Sequence, residues 1–130
     1  LIGAHLAGAA IERSMLGAAH ACANPLTARF GVVHGVAVGL MLPHVVRFNG
    51  DGDANPYADL WRDAGELAAR LDAMLVAARL PRRLSEIGVP PAALPELAMQ
   101  AARQWTAQFN PRPVREAECL AIYRAAAGDQ

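Results

Sequence analysis

An all-α fold is predicted by three features of this 130-residue chain. Apolar residues recur at steps of three and four, no stretch alternates with a period of two, and breaks rich in proline or glycine separate the segments. The length suits one domain built on one core. Hydrophobic residues make up 54% of the chain, much of it alanine, so helices can approach one another closely.

The elements follow in order. Residues 1–12 predict a first helix, with bulk from Leu1, Ile2, Leu6 and Ile11 and small-residue relief at Gly3 and Gly8, a pattern suited to close helix contact. Ser14 is placed to cap a second helix over 15–24, which Pro25 should end or kink because proline lacks the donor and restricts Asn24. A turn from Leu26 to Val33 leads to a third helix from His34 to about Phe48, with Gly35 and Gly39 on one face. The run Asn49-Gly50-Asp51-Gly52-Asp53 reads as a loop. Leu60, Ala64, Leu67, Leu71, Met74 or Leu75, and Ala78 then share one face of a helix from Pro56 to about Arg79, with a break allowed near Asp72. Pro81 to Gly88 forms a short helical turn closed by Gly88. A helix from Ala92 to Phe109 presents Leu94, Leu97, Ala98, Ala101 and Trp105. Asn110-Pro111-Arg112-Pro113 is a rigid connection, read as a packed turn and not as a binding site. A last helix, 115–127, buries Leu120, Ile122 and Tyr123 and frays after Gly128.

Composition excludes several classes of function. Net charge is zero and the sequence pI is about 7.1, so no nucleic-acid or acidic-membrane partner is expected. The longest apolar run, Val36 to Val46, is interrupted by Pro43 and His44 and is too short to span a bilayer. Cys22 and Cys119 lie far apart in apolar helical patterns and read as buried free thiols of a cytoplasmic protein. No secretory signal pattern is present. The chain starts inside an apolar helical pattern with no cap and no initiator Met, so the natural protein is expected to extend upstream.

Chemistry concentrates between residues 14 and 49, where three of the four histidines lie. His20 and His34 flank the polar stretch Asn24-Pro25-Leu26-Thr27. Imidazoles are common ligands for zinc and ferrous iron, and two on adjacent helix ends can converge on one ion. The pair alone is short of the three protein ligands that a catalytic site needs. Asn24 lies one turn after His20 and can line the same pocket. Cys22 points to another face, about 200° around the helix from His20. His44 and His5 read as structural histidines. Nothing resembles a nucleophile elbow or a phosphate-cradling glycine loop.

The runs Gly17-Ala18-Ala19-His20-Ala21-Cys22-Ala23-Asn24-Pro25-Leu26, Val33-His34-Gly35 and Leu42-Pro43-His44-Val45-Val46-Arg47-Phe48-Asn49 resemble the iron-containing (group III) alcohol dehydrogenases. That family carries GxxHxxAHxLG, then PHG, then LLPHVxxFN. Leu80 to Val89 and Asn110-Pro111-Arg112-Pro113 also resemble its C-terminal region, within the dehydroquinate synthase-like superfamily. The resemblance implies a Rossmann-like NAD(P)-binding domain followed by a helical domain, with a metal held between them by one Asp and three His. His20 and His34 match the last two histidines, and the Asp and first His would lie upstream of residue 1. The implied cofactors are Fe2+ or Zn2+ and NAD(P), the latter bound mainly by the domain not present here. The implied substrate is a small alcohol or carbonyl compound, and a homo-oligomer is expected.

Three positions depart from the pattern. Asn24 stands where the family commonly has a second histidine, Thr27 replaces the glycine after HxL, and Val33 replaces the proline before the second ligand. These mark a divergent subgroup. Two other readings compete with the dehydrogenase: a non-catalytic helical interaction module, and a sister oxidoreductase such as a maleylacetate reductase. An upstream Asp-x-x-x-His helix behind a nucleotide-binding domain would separate enzyme from module.

Overall fold

The structure, a computed structural model, describes residues 1–52 and 55–128. Within them lie six α-helices and no strand: α1 (Ile2–Ser14), α2 (Ala18–Phe30), α3 (His34–Gly50), α4 (Ala64–Ala77), α5 (Leu94–Ala102) and α6 (Glu116–Ala127). Short 3₁₀ turns cover Leu84–Ile87, Pro91–Ala93 and Trp105–Phe109. The all-α expectation holds.

The core lies around α2. This helix packs against α3, α5, α6 and the 105–109 turn, while α4 lies on the outer side of α3. Ala18, Ala21, Cys22, Ala23 and Leu26 of α2 are fully buried, together with Leu40 and Met41 of α3, Leu97 of α5 and Tyr123 of α6. Alanines on α2 let its neighbours come close. The Tyr123 hydroxyl donates to the Cys22 carbonyl at 2.6 Å, tying α6 to α2 across the core. A buried hydroxyl without such a partner is costly.

Several boundaries differ from the sequence reading, each for a local reason. Ser14 does not cap α2. It ends α1, and its hydroxyl donates back to the Ala10 carbonyl at 2.8 Å. Pro25 does not end α2, which continues to Phe30 and closes at Gly31 in the left-handed region (φ 65°). Proline removes one main-chain donor, but Pro25 and Leu26 are both buried, and their packing offsets that loss. Pro43 sits inside α3 in the same way. The loop after α3 begins at Asp51 and not at Asn49; Asp53 lies outside the described residues.

The fourth helix starts at Ala64 and not at Pro56, because the Asp63 side chain caps it, accepting from the Glu66 N–H at 2.8 Å. It runs unbroken through Asp72 to Ala77. The helix expected from Ala92 to Phe109 is broken after Ala102, and Trp105 is exposed and not on the buried face. The last helix and the turn closed by Gly88 fall close to expectation. Fraying after Gly128 concerns residues outside those described.

The first helix departs most. It contains no buried residue, and Ile2, Leu6 and Ile11 are exposed. A Cβ added at Gly3 or Gly8 would meet nothing within 4 Å, so the small-residue face makes no close contact within the chain.

Candidate metal centre

His20 lies on the first turns of α2 and His34 is the first residue of α3. The tight turn at Gly31 reverses the chain, bringing the two imidazoles together. Their ring centroids are 5.4 Å apart and the planes are tilted by 50°. Two imidazoles bound to one tetrahedral ion at metal–nitrogen distances of about 2.0–2.1 Å have ring centres roughly 5 Å apart. The spacing therefore fits a shared ion. Burial, and then the neighbouring His34, hold the His20 pKa below its ordinary value. That favours the neutral imidazole, the form that binds metal. Among the described residues no third His, Cys, Asp or Glu joins the pair.

Asn24 lies one turn after His20 on α2, and its amide is engaged. Its Nδ2 donates to Gln104 Oε1 at 3.0 Å, linking α2 to the break after α5. Gln104 was not singled out from the sequence. Nor was the node that positions α2. The Asn110 Oδ1 accepts from the Ala18 N–H at 3.2 Å, supplying the cap that Gly17 cannot. Asn110 Nδ2 donates to Asn49 Oδ1 at 2.7 Å, and Asn49 Nδ2 donates to the Tyr57 hydroxyl at 2.8 Å. A Cβ at Gly17 would stand 3.0 Å from Asn110 Oδ1, tighter than ordinary contact, so glycine leaves room for this bond. Arg112 reinforces the turn by donating to the Phe48 carbonyl at 2.6 Å and stacking over the Phe48 ring at 4.2 Å. Asn110-Pro111-Arg112 is thus a packed turn, as read, and it fixes the start of the helix that carries His20.

A cavity of about 390 Å³ opens beside His20. Val38, Leu42 and Val45 line one side from α3, with Leu16 and Phe109 opposite, and no Asp, Glu or Arg among the described residues contributes to its wall. The remaining histidines are elsewhere. His5 is exposed on α1. His44 lies further along α3, where burial, and then Arg47, lower its pKa while Asp72 and a hydrogen bond with the Arg82 main chain oppose the shift. The cysteines are free and buried, as expected. They also face each other: a hydrogen bond with Cys119, and then burial, push the Cys22 thiol well up and keep it protonated.

Comparison with known proteins decides the family. Residues 1–127 match the model of the Fe-containing alcohol dehydrogenase family, C-terminal. The chain belongs to that family. It is 35% identical to 1,3-propanediol dehydrogenase of Citrobacter freundii over 93% of its own length and 35% of that protein. It is 30% identical to lactaldehyde reductase of Escherichia coli K12 over 96% of its length and 36% of that protein. A crystal structure of 1,3-propanediol oxidoreductase superposes with a TM-score of 0.78 at 31% identity, covering 93% of this chain and 35% of that one. Sulfoacetaldehyde reductase from Bifidobacterium kashiwanohense, solved with NAD+, shares the fold at a TM-score of 0.74 and 22% identity.

The chain therefore spans about a third of the length of the relatives it matches. The relatives it matches are named as alcohol and aldehyde oxidoreductases. No helix among the described residues is long and apolar enough to cross a membrane.

Proposed function

We propose that residues 1–130 form the helical, metal-binding part of an NAD(P)-dependent alcohol dehydrogenase that interconverts a small alcohol and its aldehyde or ketone. The observation that carries this is the convergence of His20 and His34 at 5.4 Å in a chain of this family. His20 and His34 would hold Fe2+ or Zn2+, with the other ligands and the nucleotide-binding domain supplied by sequence outside these residues, as the length of the relatives supports. The bound metal supplies a Lewis acid for the alcohol or carbonyl oxygen during hydride exchange with nicotinamide.

The chain's own residues do the rest. Asn110 and Asn49 hold the start of α2, so His20 keeps its place relative to His34. Gln104 fixes the Asn24 amide, leaving its oxygen as an acceptor at the edge of the site. The uncharged cavity beside His20 suits the apolar part of a neutral substrate better than an anionic one.

In the complete enzyme, His20→Ala and His34→Ala should each lower bound metal, by elemental analysis, and abolish NAD(P)-linked turnover of 1,3-propanediol or lactaldehyde. Full metal content in both variants would contradict the assignment. The isolated chain is expected to bind divalent metal weakly and to show no dehydrogenase turnover.

A further inference from the structure

A second concave site lies at the opposite end of α3. On α3, His44, Arg47 and Phe48 line one face at helical spacing, with Asp51 just past its end. On α6, Ala121, Arg124 and Ala125 do the same, with Gly128 just past its end. The two faces border a cavity of about 740 Å³, closed on a third side by Arg83. The Arg83 side chain lies over the end of α6: its Nε would be 3.9 Å from a Cβ placed on Gly128. An adjoining cavity of about 320 Å³ shares His44, Arg47, Ala121 and Ala125 and adds the apolar walls of Phe48 and Ile122. Asp51 stands at its lining too, so the groove is basic at one end, apolar in the middle and acidic at the other.

We propose that this groove binds a small organic phosphate monoester, with the phosphate among Arg47, Arg83 and Arg124 and an uncharged flat or apolar body over Ala121, Ala125 and Phe48. Among the described residues no carboxylate lines the basic cavity. Arg47 is paired with Asp72, whereas Arg83 and Arg124 make no ion pair among the described residues. Guanidinium groups are always charged and match phosphate oxygens two at a time.

The plainer role for these arginines is to offset the carbonyl end of α6. That end already has a partner, since the Gly128 N–H donates to the carbonyls of Arg124 and Ala125. The guanidiniums keep donors to spare. Two alanines on the α6 face leave room where longer side chains would fill the groove. Thirteen residues of helix separate His34 from Arg47, about 20 Å at 1.5 Å per residue. The site is therefore remote from the histidine pair and independent of its role.

Calorimetric titration of the full chain at low salt, with phenyl phosphate and with inorganic phosphate, tests this. Phenyl phosphate should bind saturably at one equivalent, and inorganic phosphate several-fold more weakly, for want of the body. Arg83→Gln with Arg124→Gln should weaken phenyl phosphate at least tenfold, while Arg70→Gln on the outward face of α4 leaves it unchanged. Ala121→Leu, filling the groove without removing charge, should weaken phenyl phosphate more than inorganic phosphate, and it carries the test should the double variant unfold. Absence of saturable binding overturns the proposal. So does binding of phenyl phosphate that survives both the double variant and Ala121→Leu, or a double variant that loses thermal stability when the parent shows no binding.

Discussion

Helices α1 and α2 are each thirteen residues long, and both are rich in alanine and short of charge. Yet α1 buries none of its residues and α2 buries seven. The difference comes from what surrounds them. The second helix is met by α3, α5, α6 and the 105–109 turn, and an asparagine from 92 residues away caps it. The first has bulky residues and glycines at helical spacing but no surface in this chain to meet. Helical pattern decides where a helix forms; only tertiary partners decide whether its apolar face is core. Because α2 carries His20, the same partners that bury it also place the ligand.

Truncation in the α2 core should have the largest effect. Leu26→Ala removes a fully buried side chain and should cost about 2–5 kcal/mol of stability by chemical denaturation, as large-to-small core changes do. A loss below that range would mean that α2 is less enclosed than described.

The capping node is next. Asn110→Ala deprives the Ala18 N–H of its acceptor and the Asn49 Oδ1 of its donor, and about 1–3 kcal/mol should be lost. Metal affinity at His20 should fall with it, which Leu16→Ala should not reproduce to the same degree. Unchanged stability in Asn110→Ala would show that Gly17 and Ala18 need no such support.

These two sites also mark the limits of sequence reasoning. His20 and His34 were legible as a pair on consecutive helices, although the break between those helices lies at Gly31 and not at Pro25. Asn49 and Asn110 were not, because their bond joins positions 61 residues apart and neither side chain stands out locally. Pro25 misled for a related reason: its local cost was read, and the burial that offsets it is tertiary. The start of α4 is different. Asp63 followed three residues later by Glu66 is a capping signature present in the sequence, and the apolar periodicity reaching back to Leu60 masked it.

Acidification should produce a moderate effect through α3. Burial holds the His44 pKa below its unfolded value, so the unfolded chain binds a proton first as pH falls. The His44 contribution should be complete above about pH 6.5 and be lost as pH drops from there through the lower folded value. His44→Gln should flatten this part of the pH–stability curve, measured by urea denaturation between pH 7 and 5. A slope identical to the parent would remove His44 from the account.

The smallest effect is expected in α1. Leu6→Ser exposes nothing that is not already exposed and should change stability by less than about 0.5 kcal/mol. We expect the uncovered face of α1 to be satisfied by self-association, so the same change should shift the light-scattering mass toward monomer. A parent chain that is monomeric would refute the association.

The central claim is that two histidines from different helices hold one ion, and Co2+ titration of the metal-free complete enzyme tests it most directly. Visible absorption from imidazole–cobalt coordination should rise to one equivalent. It should vanish in both His20→Ala and His34→Ala and persist in His5→Ala, whose imidazole is exposed on α1. Coordination that survives the loss of His34, or that disappears with His5, would contradict the account.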